Sequence, residues 1–108
     1  MEKNCVFCRI IQGEESADFV HKDDTLVVFK DINPEAPVHL LIVPRKHICS
    51  INALEEDDRH LIAEVILRAK KIAHQLGIAD SGYKLIFNVE RGGGQIIFHL
   101  HLHLIGGW

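Results

Sequence analysis

Three histidines near the end of the chain, His99, His101 and His103, alternate with leucines. In a β-strand this spacing places all three imidazoles on one face and the leucines on the other, with same-face neighbours roughly 6.6 Å apart. The leucines can then anchor the strand to a core, while the histidines form a row at a surface or cleft.

Three interpretations of this row stay open. It could be a solvated strand face, a catalytic zinc site, or a set of acid, nucleophile and orienting groups for phosphoryl or nucleotidyl transfer. The preceding residues, Gly92 to Gln95, favour the third, because glycines let backbone N–H groups form a concave nest for an anion. Three glycines alone are more typical of a flexible loop, so their position beside the histidines carries this interpretation.

A second constellation lies near the start of the chain, where Cys5 and Cys8 are separated by two residues. This spacing lets two thiolates bind one metal ion. A redox pair would usually follow a strand, and the sequence predicts no strand before Cys5. The third cysteine, Cys49, is predicted to be an ordinary buried thiol.

The elements that must position these residues follow from hydrophobic periodicity. The 108 residues are expected to form a single domain, residues 1–108, of the α+β class. An almost wholly apolar strand at 38–43 is predicted to lie centrally in the sheet, and a helix with one apolar stripe precedes Gly77. The predicted order is a short helix at 6–12, strands at 17–21, 25–30 and 38–43, a long helix at 55–76, and strands at 83–89 and 96–105.

Composition narrows the functional classes. A net charge of −3 argues against a general affinity for nucleic acid. No segment approaches the ~20 apolar residues that span a bilayer, and the N-terminus lacks the apolar run of a signal peptide. We therefore expect a cytoplasmic protein with reduced thiols and neither a nucleic-acid nor a membrane partner.

Residues 95–105 resemble the signature of the histidine triad superfamily, in which three histidines alternate with apolar residues. Segments 29–34, 36–37 and 39–47 resemble its Hint branch of nucleoside phosphoramidate hydrolases, and segment 5–11 resembles the bacterial members. The resemblance implies a five-stranded antiparallel sheet with one long helix and a short N-terminal helix. It also implies a homodimer through the long helix and a strand, which makes a continuous ten-stranded sheet.

The implied activity is hydrolysis of purine nucleoside 5′-phosphoramidates, such as adenosine 5′-monophosphoramidate, through a nucleotidyl-histidine and without a catalytic metal. His101 matches the nucleophile, since a neutral imidazole can attack phosphorus near pH 7 without a separate base. His103 matches the residue that contacts the phosphate and helps to protonate the leaving group. His99 completes the triad, and His39 is either a satisfied core histidine or a support for the triad.

The resemblance also assigns binding residues. Asp31 matches the acid that binds the ribose hydroxyls, although its position before Asn33 and Pro34 is equally typical of a turn aspartate. Ile96 departs from the family, whose members commonly carry a hydroxyl residue there, and this leaves the rate and leaving-group preference open. The purine walls are assigned to Phe7, Phe29 and Ile32, and the phosphate contacts to Asn88, Gly94, Ile96, Ile97, His101 and His103.

Similarity to zinc-containing bacterial members adds His47 and His99 to Cys5 and Cys8 as ligands of a closed structural zinc site. Three other functions remain as alternatives. They are a dinucleoside polyphosphate hydrolase on the same fold, a purine-nucleotide-binding adaptor without catalysis, and a catalytic zinc hydrolase.

Overall fold

The computed structural model describes residues 4–108, and its strands form one antiparallel sheet in the order β1-β2-β3-β5-β4. The predicted sequence of a helix, three strands, a long helix and two strands is confirmed. Single 3₁₀ turns occur at Ile51–Ala53, Glu56–Asp58 and Arg91–Gly93. The elements are α1 (Val6–Gln12), β1 (Phe19–Lys22), β2 (Leu26–Lys30), β3 (Val38–Pro44), α2 (Arg59–Gln75), β4 (Tyr83–Ile86) and β5 (Leu102–Gly106).

One face of the sheet is covered by α2. Alternate residues of the three central strands point to this face, and the buried side of α2 packs on them, as its apolar stripe predicts. Removing each valine, leucine or isoleucine side chain of this set from water contributes roughly 1.5–3 kcal/mol. The sheet contributes Leu26, Val28, Leu40, Ile42, Leu102 and Leu104, and α2 contributes Val65, Ala69, Ile72 and Ala73.

The other face is covered only in part, by α1. Phe7 and Cys8 pack against Phe29 and Leu41 of β2 and β3. The helix is only 7 residues long and ends at Gly13, whose φ of 84° is the left-handed conformation that glycine adopts without strain. Because α1 stops there, the part of this face around β5 is left uncovered.

The last strand is shorter than the sequence predicts, and the prediction of 96–105 is wrong. Residues 97–99 form a bend, and β5 begins only at Leu102. The N–H of Leu100 donates to the carbonyl of Ile48 at 2.6 Å, outside the ladder between β3 and β5. His99 and His101 therefore precede the strand, and only His103 lies within it.

Other boundaries differ by a few residues. α2 begins at Arg59 instead of residue 55, because the side chains of Glu55 and Asp58 each accept the other's backbone N–H and close a separate 3₁₀ turn. β1 begins at residue 19 instead of 17, and β4 ends at residue 86 instead of 89. Within residues 4–108, no helix combines the length and the apolar character needed to cross a membrane.

Candidate active site and metal-binding group

A cavity of about 630 Å³ lies between α1, β2, the turn after β2 and the glycine-rich segment before β5. Its volume is within the range typical of small-molecule sites. All ten residues predicted to bind substrate line it: Phe7, Phe29, Asp31, Ile32, Asn88, Gly94, Ile96, Ile97, His101 and His103.

The apolar wall of the cavity also orients a histidine. The ring of Phe7 meets that of Phe29 edge to face at 5.4 Å between centroids, and that of His101 at 5.1 Å. Two isoleucines contribute to the same cavity with nearly all of their surface exposed, Ile32 at 90% and Ile96 at 88%. These side chains offer apolar surface that a flat ring could cover.

His101 is held in one tautomer by the backbone. Its Nδ1 lies 2.7 Å from the carbonyl oxygen of His99, so Nδ1–H donates and Nε2 keeps a lone pair. Burial lowers the pKa of His101 below its ordinary value. The ring is therefore neutral at pH 7, with its free nitrogen available as a nucleophile.

His103 is held in the opposite tautomer through His39. The backbone N–H of Glu35 donates to His39 Nδ1 at 3.0 Å, which leaves the His39 proton on Nε2. That nitrogen lies 2.9 Å from His103 Nδ1, which accepts, so neutral His103 carries its own proton on Nε2. Burial lowers the pKa of His103 to about 4. His39 is buried, as predicted, and orients a ring of the triad.

Asp31 fulfils the turn role that its sequence context indicates. One carboxylate oxygen accepts the N–H of Asn33 at 2.9 Å, and the other lies 3.3 Å from His39 Nε2. Asp31, His39 and His103 are close enough together to hold a metal ion. The backbone bond to His39 Nδ1 leaves a hydrogen, not a lone pair, on the nitrogen that faces the other two. The bonds among Asp31, His39 and His103 therefore orient the two imidazole rings and do not form a metal site.

Cys5, Cys8, His47 and His99 form a separate group whose four ligand atoms lie within 4.8 Å of one another. The Sγ of Cys5 is 3.3 Å from His99 Nδ1, the Sγ of Cys8 is 3.3 Å from His47 Nδ1, and the two Nδ1 atoms are 3.2 Å apart. Ligands of a tetrahedral zinc ion stand roughly 3.3–3.8 Å apart at usual bond lengths. The donor set and its spacing fit zinc.

His99 was predicted to be both catalytic and a metal ligand, and the structure places its side chain in the cysteine–histidine group. Its Nε2 donates to the carbonyl of Pro44 at 2.8 Å, which leaves a lone pair on Nδ1 toward the sulfurs. Burial lowers the pKa of His99 to about 4, so the ring is neutral. His99 contacts the next histidine of the triad through its backbone carbonyl, which accepts from His101 Nδ1–H.

The prediction for Cys49 is wrong, because this thiol is exposed. The segment after β3 turns its backbone inward at this point, and the Cys49 carbonyl accepts from the Gln95 side chain at 2.7 Å. The thiol lies outside, with Sγ 3.8 Å from His47 Nε2.

Sequence reasoning missed two residues that are bonded to each other at the start of the glycine-rich segment, Ser50 and Glu90. The Ser50 hydroxyl donates to the Glu90 carboxylate across 40 residues of chain, a pairing that no local pattern signals. Glu90 has φ 60° and ψ 178° and is the one non-glycine residue within 4–108 with positive φ. Backbone of this kind costs about 1–3 kcal/mol.

Comparisons with known proteins show which family and fold the chain resembles. A family model described as "Scavenger mRNA decapping enzyme C-term binding" matches residues 4–107. A purine nucleoside phosphoramidase of Escherichia coli (strain K12) is 42% identical over 107 residues, 99% of this chain and 90% of that protein. A HIT family hydrolase of Legionella pneumophila Philadelphia 1 has a TM-score of 0.96 at 51% identity, covering 97% of this chain and 94% of that chain. One from Clostridium thermocellum has a TM-score of 0.96 at 42% identity, covering 100% and 94%.

The neutral, buried state of His103 predicts a loss of stability in mild acid. Burial, His101 and His39 lower its pKa to about 4, against the weaker influence of Asp31 and Glu35. An unfolded histidine has a pKa of about 6.5, so between these values the unfolded chain binds a proton that the folded chain does not. The free energy of unfolding should therefore fall as the pH falls from about 6.5 to 4.

Urea denaturation at pH 7.0, 5.5 and 4.5 checks this expectation. His103→Gln should lose less stability over this range than the wild type, because the titrating group is gone. His60→Gln, which removes an exposed histidine of α2, is the control and should follow the wild type. An equal loss in His103→Gln and the wild type would contradict the assignment.

Proposed function

The chain belongs to the histidine triad family of nucleotidyl hydrolases, and on that premise we propose that it hydrolyses purine nucleoside 5′-phosphoramidates to the nucleoside monophosphate and an amine. The observation that carries the proposal is the pair of opposite tautomers in one cavity. His101 offers a lone pair at Nε2, and His103 offers a proton at Nε2. Cleavage of a P–N bond requires both, because phosphorus must be attacked and the departing nitrogen must be protonated.

The proposed substrate position follows the lining of the cavity. The purine occupies the apolar part near Phe7, Phe29 and Ile32, and the ribose hydroxyls donate to the carboxylate of Asp31. The phosphate then lies against Asn88 and the backbone of residues 94–97, beside the two histidines. The backbone N–H groups of Ile96 and Ile97 would stabilise the charge on the non-bridging oxygens, whereas those of Gly94 and Gln95 donate to Arg91 and Glu90 within the turn.

The reaction has two balanced steps. In the first, His101 Nε2 forms a bond to the α-phosphorus while the P–N bond breaks. The departing nitrogen keeps that electron pair and takes the proton from His103 Nε2, which leaves His103 as an imidazolate, a weaker base than the departing nitrogen anion, with its Nδ1 still accepting from His39 Nε2–H. In the second, a water molecule gives a proton to His103 and attacks the nucleotidyl-histidine, which releases the monophosphate and restores His101. Throughout, the His99 carbonyl accepts from His101 Nδ1–H and so favours the positive charge on the modified ring.

Ile96 gives this chain a particular dependence on His103. Its side chain has no hydroxyl that could relay a proton, so His103 alone supplies the proton to the leaving group in this mechanism. The same feature favours the adaptor function as the second candidate, in which the chain binds a purine nucleotide and turns it over negligibly.

Replacing the nucleophile separates these two functions. His101→Asn should reduce turnover of adenosine 5′-monophosphoramidate by at least about a thousandfold, since a carboxamide cannot form the covalent intermediate. Its affinity for AMP should stay within about threefold, because most of the proposed contacts remain. Product release by chromatography and AMP titration by calorimetry measure the two quantities.

Trapping an acid-labile nucleotidyl adduct on the wild type, and not on His101→Asn, would identify the intermediate directly. His74→Asn, at the end of α2, is the control and should resemble the wild type. Equal background rates for the wild type and His101→Asn would favour the adaptor. Faster turnover of a dinucleoside tetraphosphate than of the phosphoramidate would favour the polyphosphate hydrolase.

The same premise supports a structural zinc site at Cys5, Cys8, His47 and His99. Zinc there would supply a cross-link between α1, the segment after β3 and the chain before β5. Four protein donors complete a tetrahedron and leave no position for substrate, which separates this site from the chemistry at His101. A reducing compartment such as the cytoplasm would keep both thiols available to the metal.

Metal analysis and thermal denaturation test the zinc site. The wild type should hold about one zinc per chain, and Cys8→Ala should lose it, with a Tm lower by at least about 10 °C. Cys49→Ala is the matched control, because it removes an exposed thiol and should keep both the metal and the Tm. A Cys8→Ala variant with unchanged zinc and Tm would contradict the assignment.

We also propose that the chain forms a homodimer through α2 and β4. β4 is an edge of the sheet, so pairing with a second copy would give ten continuous strands. Ile66 and Leu67 of α2 and Leu85 of β4 are exposed apolar residues on these two elements. Their exposure in one chain is consistent with burial in a dimer.

Leu67→Glu should convert the dimer to a monomer in light scattering, because it places a charge in the apolar contact. Val20→Glu makes the same change in an exposed apolar residue of β1, at the opposite edge of the sheet, and should remain dimeric. Dissociation by Val20→Glu alone would instead assign the interface to β1.

A further inference from the structure

Glu90 occupies a backbone conformation that suits glycine. Its φ of 60° with ψ 178° lies in a region that side-chain-bearing residues rarely adopt. In this conformation both the carbonyl and the N–H of Glu90 form hydrogen bonds to the turn that follows. Its carbonyl accepts from Gly93 and Gln95 at 3.1 and 3.0 Å, and its N–H donates to the Gln95 side chain at 2.9 Å. A glycine could make all three bonds, so they do not explain a glutamate here.

The side chain of Glu90 adds one contact, a hydrogen bond from the hydroxyl of Ser50 to its carboxylate. Ser50 is a fixed partner because it is buried and its hydroxyl also accepts from the N–H of Asn52. The Gln95 side chain makes a second connection, since it donates to the carbonyls of Cys49 and Ile97. The turn before the triad is thus attached to the segment after β3 at two points.

We propose that Glu90 is a positioning residue for the phosphate. Through Ser50 it holds residues 91–97, named here the phosphate loop, in the arrangement that presents their backbone to the cavity. On its other side the loop is held by Asn88, whose side chain donates to the carbonyl of Gly93 at 2.9 Å. This inference rests on the proposed function, since it needs a phosphate at Gly94, Ile96 and Ile97.

Electrostatics alone predicts the opposite effect. A carboxylate on the turn that carries the phosphate loop repels an anion, so its removal would strengthen phosphate binding if charge were its only influence. A positioning role predicts weaker binding when the carboxylate is lost, because the loop would no longer be held in the binding arrangement. The sign of the change therefore separates the two.

The experiment measures AMP and adenosine affinities by calorimetry on the zinc-replete full chain. In Glu90→Gly the contact to Ser50 is lost and the backbone strain is relieved. We expect AMP to bind about tenfold more weakly, equivalent to about 1.4 kcal/mol. Adenosine, which lacks the phosphate, should change less than about twofold because its pocket is formed by other elements. The Tm should equal or exceed that of the wild type.

Glu90→Gln is the rescue variant, because its amide oxygen can still accept from Ser50 while the charge is gone. Its AMP affinity should equal or exceed that of the wild type. Glu14→Gln removes an exposed charge elsewhere and controls for net charge. The kcat for the phosphoramidate should fall about tenfold in Glu90→Gly and recover in Glu90→Gln.

Three outcomes overturn the inference. AMP binding in Glu90→Gly that is as tight as in the wild type would show that the anchor is unnecessary. A parallel loss of adenosine affinity or a lower Tm would show a general structural role. If the wild type itself binds AMP no more tightly than adenosine, the phosphate site and with it the proposed function fail.

Discussion

The chemistry of this site depends on one hydrogen bond, from His101 Nδ1 to the carbonyl of His99 at 2.7 Å. Without it the ring could protonate at Nε2 instead, and the nitrogen that faces the cavity would have no lone pair. The carbonyl is available because the chain joins the sheet only after this point, at Leu102. In a ladder it would bond to a neighbouring strand, whereas here residues 97–99 bend and Leu100 bonds to Ile48. The side chain of His99 is fixed by Pro44 and the cysteine–histidine group. The metal-binding group and the nucleophile thus share one residue, through its side chain and its backbone.

The unequal covering of the sheet decides where such a site can form. α2 covers one face, while the short α1 covers the other face only over β2 and β3. His101 and His103 lie where this covering ends, so their rings are largely desolvated and still line the cavity. Desolvation keeps the histidines neutral, which leaves the lone pair on the nucleophile free near pH 7. Buried rings need partners, and within residues 4–108 no buried side-chain nitrogen or oxygen lacks one.

Much of this arrangement could be read from the sequence, because periodicity encodes which way a side chain points. Periodicity predicts the element order and the central position of β3, whereas the ten predicted binding residues in the lining of the cavity were assigned by the resemblance to the histidine triad family. Periodicity does not encode which backbone groups pair, and for that reason the start of β5 was missed. Leu100 is buried with Leu102 and Leu104, so the alternation of side chains extends beyond the hydrogen-bonded strand. The Cys49 carbonyl is bonded to Gln95, and the side chain of the strained Glu90 is bonded to Ser50. Each of these contacts joins residues that are 40 or more positions apart, so no local pattern reveals the exposure of Cys49 or the strain at Glu90.

The three alternating histidines have the same side chain and different chemistry, and the difference lies in which nitrogen of each ring is occupied. Pro44 occupies Nε2 of His99, so Nδ1 turns to the sulfurs. A carbonyl occupies Nδ1 of His101 and leaves Nε2 as a base. His39, itself fixed by the N–H of Glu35, occupies Nδ1 of His103 and leaves Nε2 as an acid. The roles of metal ligand, nucleophile and proton donor are therefore set by the groups that bond to each ring, and most of these groups belong to the backbone. Because the three side chains are identical, the fold must hold those neighbours in place for the motif to have any function.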